Sequence, residues 1–286
     1  MFAGCVGENL NDCALETEVF ITVLPDEYRG KFTPAEGATV FLFDQHRRFL
    51  TQVAVSKEQI EYRLPVRLPL PPSARPWAAV WGNLGDREQI LNLAEGASPE
   101  EVIVRVRRDA EGNRMSPDDL FYSMKQLSGV PSEEIVISPK TARINIRVKG
   151  LPAQADANDY YFTTQTHYDG YDFAGTPQAG TTGSKFPGIL DEKHDLITPR
   201  PYNLIHYPAE GTMQGKGEQA VVGLWKKSGS GAGNLLASVT HDTNGRPLAP
   251  QAGKTTNILI HFRSTGEISI ELVITGWNEV YQWDEW

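Results

Sequence analysis

The sequence predicts an all-β protein of two tandem β-sandwich domains, and three observations carry that prediction. Its 19 prolines and 26 glycines interrupt the chain often, and no apolar i, i+3, i+4, i+7 pattern runs beyond about three turns. Short segments with apolar residues at alternate positions recur in each half, about seven per half at the spacing of β-sandwiches. The length of 286 residues suits two domains, each able to bury a core of its own.

After a polar leader, Val19-Phe20-Ile21-Thr22-Val23-Leu24 is β-branched and apolar, and Pro25 stops it. Residues 40–43 form a second run, closed by Asp44-Gln45-His46-Arg47 as a hairpin turn, and residues 49–55 return. Residues 64–70 alternate, but their prolines make them an edge strand. Residues 77–81, Trp-Ala-Ala-Val-Trp, are almost wholly apolar, as in a strand buried on both faces. Val102, Val104 and Val106 alternate with Ile103, Arg105 and Arg107, and residues 134–137 close the first series. The second opens on the cleanest period-2 segment: Ile144, Ile146 and Val148 face one way, and Arg143, Asn145, Arg147 and Lys149 the other. Strands are expected at 160–167, 220–225, 235–240 and 258–262. Ile268, Ile270, Leu272 and Ile274 then alternate before Trp277.

Helical signals are few. Residues 98–102 and Ser116-Pro117-Asp118-Asp119-Leu120 carry the Ser/Pro/acid opening of a helix start, enough for one or two turns. Residues 169–201, rich in Gly, Thr and Pro, read as a long loop. The division falls at Ser138-Pro139-Lys140. It gives a leader and tether over 1–17, a first sandwich over 18–138 and a second over 139–286.

The formal net charge of −9 argues against nucleic acid as a partner, because phosphate binding wants a basic patch. No apolar run is long enough for a membrane-spanning helix. Both cysteines, Cys5 and Cys13, lie in the leader, where a disulfide would close a short loop and staple no core. Phe2-Ala3-Gly4-Cys5 resembles the end of a bacterial lipoprotein signal, in which small residues precede a cysteine that is lipidated. Phe2 stands where leucine is usual, and such a signal has basic and apolar segments upstream. An incidental cysteine is the competing reading.

No catalytic constellation is legible. The six histidines (His46, His167, His194, His206, His241 and His261) show no metal-ligand spacing. No Gly-x-Ser-x-Gly elbow, GxGxxG or P-loop occurs. Ser228-Gly229-Ser230-Gly231-Ala232-Gly233 reads as a hairpin loop, and His241-Asp242 as part of a turn. The most site-like cluster is Asp169-Gly170-Tyr171-Asp172-Phe173 with Tyr160, Tyr161 and Tyr168. Aromatics beside carboxylates suit a sugar or a calcium ion, but core or loop-anchoring tyrosines are the commoner explanation. Trp277, Trp283 and Trp286 either complete the last strand and its core or form an apolar tail for a partner. The chain is therefore expected to be no enzyme, with no catalytic residue, metal or cofactor.

Several segments, in order over nearly the whole chain, resemble the FimB-type anchor and accessory subunits of type V fimbriae. Asn9-Leu10-Asn11-Asp12-Cys13 is similar to that family's acidic leader. Phe41-Leu42-Phe43-Asp44 with Arg48-Phe49-Leu50 is similar to its first hairpin, although Arg47 stands where glycine is usual. Leu68-Pro69-Leu70-Pro71-Pro72 and Ala79-Val80-Trp81-Gly82-Asn83 resemble its proline-rich and Trp-Gly strands, and Asp119-Leu120-Phe121-Tyr122 the approach to the last strands of its first domain. Residues 142–151 and 268–277 resemble the opening and closing strands of its second domain. Ala14 replaces a frequent proline. The resemblance implies transthyretin-like sandwiches, export as a lipoprotein acylated at Cys5, and lipid attachment to the cell outer membrane. It also implies fimbrial stalk subunits as partners. Family anchors hold the fimbrial base and limit fimbrial length, while stalk subunits polymerise by donating a strand to a neighbour's open sheet edge. A tip subunit, a glycan-binding adhesive lipoprotein and, least supported, an extracellular hydrolase are the competing functions.

Overall fold

The computed structural model describes residues 16–24, 35–71, 74–85, 88–91, 93–180, 183–205, 220–229, 233–277, 279 and 281. The chain is a succession of strands. The first series is β1 (Thr17–Val23), β2 (Gly37–Phe43), β3 (Phe49–Ser56), β4 (Val66–Leu68), β5 (Trp77–Gly82), β6 (Glu88–Leu91), β7 (Ile103–Val106), β8 (Phe121–Gln126) and β9 (Ser132–Pro139). The second opens with β10 (Thr141–Lys149), β11 (Tyr160–Gln165), β12 (Tyr168–Asp172), β13 (Pro177–Ala179), β14 (Ser184–Phe186), β15 (Ile189–Leu190) and β16 (Leu196–Ile197). It ends with β17 (Tyr202–Ile205), β18 (Val221–Lys226), β19 (Asn234–Val239), β20 (Lys254–Phe262) and β21 (Ile268–Gly276). Among the described residues, no helix is long and apolar enough to cross a membrane.

The first seven-stranded sheet runs β3-β2-β5-β8-β9-β1-β4. It folds on itself, because β8 and β9 pair only through Phe121↔Pro139 and Tyr122↔Ser138. Val40, Leu42, Ala78 and Val80 from one wing thereby meet Val19, Ile21, Ile135 and Ile137 from the other. The opposite faces of β2 and β5 carry Phe41, Phe43, Ala79 and Trp81. These pack on a four-stranded sheet, β13-β12-β7-β6, through Val104, Val106, Tyr171 and Phe173. The apolar run 77–81 is thus buried on both faces, as its composition predicts. Two of the four strands in that covering sheet, β12 and β13, lie beyond Pro139 in sequence, and Gly170–Asp172 pairs antiparallel with β7.

The second sandwich packs β15-β16-β10-β20-β21, with β17 also paired to β10, against β14-β11-β18-β19. Ile144, Ile146, Val148, Phe162, Val222, Leu224, Ile258 and Ile260 fill its core. Strands β10 and β20 run parallel from Arg143↔Thr255 to Lys149↔His261, as β1 and β9 do in the first sandwich. The alternation read at 143–149 is the observed one, with Ala142, Ile144, Ile146 and Val148 all buried.

Three expectations need correction. Residues 169–201 are not a loop: β12 to β16 run through them, with short strands tied to β7, β11 and β10. Their Gly/Thr/Pro composition reflects closely spaced turns between strands too short to show alternation. Residues 116–120 form no helix. Ser116 Oγ accepts from Asn203 N at 2.9 Å instead of from its own following amides, so its capping group serves a neighbouring strand. Among the described residues the one α-helix is α1 (Lys57–Glu61), which the periodicity does not predict. Its signal was the capping box Ser56-x-x-Gln59, in which Gln59 N donates to Ser56 Oγ and Ser56 N to Gln59 Oε1. In the turn at 44–47, Arg47 has φ +60°, the left-handed geometry that a glycine would hold without strain.

Candidate functional site

Phe186 on β14 stacks on Tyr202 of β17 with centroids 4.2 Å apart. The β14 end of one sheet therefore covers the β17 end of the other, and β19 and β21 are the edge strands of the two sheets on the side away from that contact. Among the described residues the sandwich is incompletely closed there. Strand β21 pairs antiparallel with β20 from Lys254↔Gly276 to Phe262↔Ile268. Ile268, Ile270, Leu272 and Ile274 thus share the face of Ile258 and Ile260, which are fully buried. Yet Ile268 is 43% and Ile274 52% exposed, and Ile270 and Leu272 are only partly covered. On β19, Leu236 is likewise only partly covered.

Among the described residues no strand pairs with the outer edge of β21. Nine residues of strand present about 30 Å of backbone at about 3.3 Å per residue. An added strand there would gain ladder hydrogen bonds and cover apolar side chains, at about 1 kcal/mol for each half-exposed isoleucine. The alternation at 268–274 was legible in the sequence. Its exposure was not, because a strand facing a filled core and one facing an open edge have the same pattern.

This edge is tied to the first sandwich. Trp277, directly after β21, is 4% exposed and belongs to the core of the first sandwich. It meets the Phe121 ring edge-on at 5.4 Å and lies under the Arg143 guanidinium at 4.6 Å. Arg143 Nη1 donates to the Trp277 carbonyl at 2.8 Å, and its Nε donates to Asp119 Oδ1 at 3.1 Å. Asn203 Nδ2 donates to the same carboxylate and to the Pro117 carbonyl, each at 2.9 Å. Trp277 is thus buried, but in the core of the first sandwich and not in that of its own strand. Trp283 and Trp286, like Cys5, Cys13 and His206, lie outside the described residues.

The aromatic and acidic cluster at 169–173 is occupied structurally. Tyr171 and Phe173 are fully buried around Trp81. Asp169 accepts from Arg105 and Arg108, each at 2.8 Å. Asp172 closes a turn by accepting from Thr176 N at 2.8 Å, and burial pushes its carboxyl pKa up. Lys140 sits over the rings of Tyr122 and Tyr171 and donates to the Gly175 carbonyl at 3.1 Å, and burial pulls its pKa down. Among the described residues no group of three or more His, Cys, Asp or Glu is arranged to hold a metal ion. The strands on either side of residues 228–233, β18 and β19, pair antiparallel. A cleft lined by Glu36, Val55, Asn83, Leu84, Asp118 and Asp119 opens beside the first core. Two of its carboxylates are paired, Glu36 with Lys57 and Asp119 with Arg143.

Residues 12–283 match the family model described as Mfa2, fimbrillin-A associated anchor proteins Mfa1 and Mfa2. No curated protein sequence matches the chain. Solved structures do. A candidate polysaccharide-binding protein from Bacteroides thetaiotaomicron aligns with TM-score 0.65 and 14% identity, over 93% of this chain and 99% of that one. A candidate adhesin from Bacteroides ovatus gives TM-score 0.64 and 15% identity, over 92% and 94%. The fimbrial anchor protein Mfa2 from Porphyromonas gingivalis gives 0.60 and 14%, over 92% and 98%. At these identities the structures establish a shared fold.

Proposed function

We propose that this chain, which belongs to the family of fimbrillin-A associated anchor proteins, is the outer-membrane anchor subunit of a fimbrium. The observation that carries the reading is the β21 edge, whose outer side has no partner strand among the described residues and which carries half-exposed Ile268 and Ile274. In this reading an extended segment of a stalk subunit adds to β21 and fills the seam with alternate apolar side chains. Trp277 and Arg143 fix the end of the receiving strand to the first sandwich, so a pull on the edge is shared by both cores. Cys5 is the lipidated residue, followed by a polar tether, and several acyl chains give the stable attachment that one chain would not. The two units divide at 138/139, with β12 and β13 reaching back across that division. The role is mechanical, at the cell surface, and no catalysis is assigned.

The test is deletion of the gene with electron microscopy of fimbriae. The anchor reading expects long fibres shed into the medium and few on cells, with Cys5→Ser reproducing part of the shedding. Surface fimbriae unchanged in length and attachment would refute it. Ile268→Ser combined with Ile274→Asp alters only half-exposed positions, so folding should persist while copurification of stalk subunits is lost. Shedding on deletion, together with normal copurification by this double variant, would keep the anchor and reject the β21 seam.

A further inference from the structure

We propose that the outer face of the β14-β11-β18-β19 sheet binds an acidic carbohydrate, with Trp225 as the stacking surface and Lys185 as the carboxylate partner. On β11 and β18 the inward residues are Tyr160, Phe162, Thr164, Val222 and Leu224, all buried. The alternate residues Tyr161, Thr163, Gly223 and Trp225 therefore face outward. Register aligns them in two rows. Tyr161 lies opposite Trp225 and Trp225 opposite Leu235, while Lys185, Thr163, Gly223 and Ser238 form the neighbouring row.

The indole is laid flat and held. Trp225 Nε1 donates to Thr163 Oγ1 at 2.9 Å. A Cβ placed on Gly223 would come within 2.6 Å of that same nitrogen, so the ring lies down across the glycine. The pyrrole edge of the ring lies over the glycine backbone on the outward side of the sheet, and Trp225 is half-buried. The Tyr161 ring is parallel to it within 5°, laterally offset at a centroid distance of 6.1 Å.

The rim is basic in a chain whose net charge is −9. Lys185 Nζ lies 4.7 Å from the Tyr161 centroid, with 42% of its side chain exposed and, among the described residues, a single acidic contact, to Glu111 at 4.0 Å. Lys227, two residues beyond Trp225 and of the same outward parity, is exposed, whereas Lys226 pairs with inward Tyr160 and lies over its ring. A pyranose ring has an apolar C–H face that suits a fixed, flat indole, and its hydroxyls suit the polar row of Thr163 and Ser238. A ring carboxylate complements the ammonium of Lys185. Because the indole is pre-set by its hydrogen bond, binding orders little more of the protein. Covering a strand glycine explains why the indole lies flat, but not the cationic rim.

The test titrates oligogalacturonate, and maltoheptaose as its neutral counterpart, into the full chain by calorimetry. The proposal expects saturable binding of oligogalacturonate, weakened about tenfold by Trp225→Ala, a loss of the order expected for one stacking contact. Lys185→Gln, at a largely exposed position, should keep the melting temperature, weaken the uronate several-fold and reduce the salt dependence of binding. Absence of saturable uronate binding, equal binding of maltoheptaose, or uronate binding unchanged in Lys185→Gln would each overturn the proposal. It stands apart from the anchor reading, since Lys185→Gln should leave fimbrial attachment as it was.

Discussion

Replacing Trp277 tests whether the end of the last strand completes the core of the first sandwich. The side chain is 4% exposed, meets Phe121 at 5.4 Å and lies beneath Arg143 at 4.6 Å. Truncating a buried tryptophan to alanine costs about 3–5 kcal/mol, a range that includes its aromatic contacts. Here one contribution runs the other way. Trp277 Nε1 is buried with no acceptor among the described residues, and an unbonded buried donor is itself unfavourable by about 1–3 kcal/mol. Removing the ring relieves that cost, so the net loss for Trp277→Ala should be near 2 kcal/mol. Trp277→Phe keeps an aromatic ring in the site and drops the orphaned N–H, and should fall within about 1 kcal/mol of wild type. Urea unfolding followed by circular dichroism measures both. If the two sandwiches unfold separately, the loss should appear in the transition of the first, although residue 277 ends the second. An alanine variant losing less than about 1 kcal/mol, or a phenylalanine variant as unstable as the alanine one, would refute the reasoning.

The other predictions can be checked with the same purified protein. Asp191 accepts from Lys193 N and Asp195 N at 2.9 Å and from Arg147 Nη1 at 2.6 Å. Burial raises its carboxyl pKa, but those donors outweigh it and hold the pKa below the usual carboxylate value. A depressed folded pKa gives stability that is fully present above the unfolded pKa and lost as pH falls through the folded one. Asp191→Asn should therefore cost about 1–3 kcal/mol at pH 7, with the gap to wild type closing below about pH 4 in pH-dependent urea melts. Ile146 lies within the span of β10 paired with β20, and its N–H donates to Thr198 Oγ1 at 3.1 Å. Ile146→Pro removes that donor from a central strand, so soluble protein should fall sharply on expression while Ile268→Ser stays near wild type.

How much was legible depended on where the physical signal resides. The strand at 143–149 could be read because one face is buried and the other solvated, which writes a period of two into the residues. The run 77–81 could be read as doubly buried because Trp, Ala, Ala, Val and Trp leave no polar face. The short strands between 168 and 205 carry two to five residues each, too few to show a period. Ser116-Pro117-Asp118-Asp119 has the chemistry of a helix start, but Asn203 and Arg143 use its Ser116 and Asp119 oxygens.

By itself the sequence determined local conformation and family: alternating strands, a turn at Asp44, two strand series and motifs in the order of fimbrial anchors. The tertiary structure alone decided which apolar residues stay uncovered and which distant segments share a core. Ile270 and Ile144 are equally apolar and equally well patterned, yet Ile144 is fully buried and Ile270 is not. The reason is that burial depends on what lies across a sheet. For β21 and Trp277 that is fixed by contacts such as Phe186 with Tyr202 and Arg143 with Trp277, which join residues far apart in the chain and leave no mark in either local pattern.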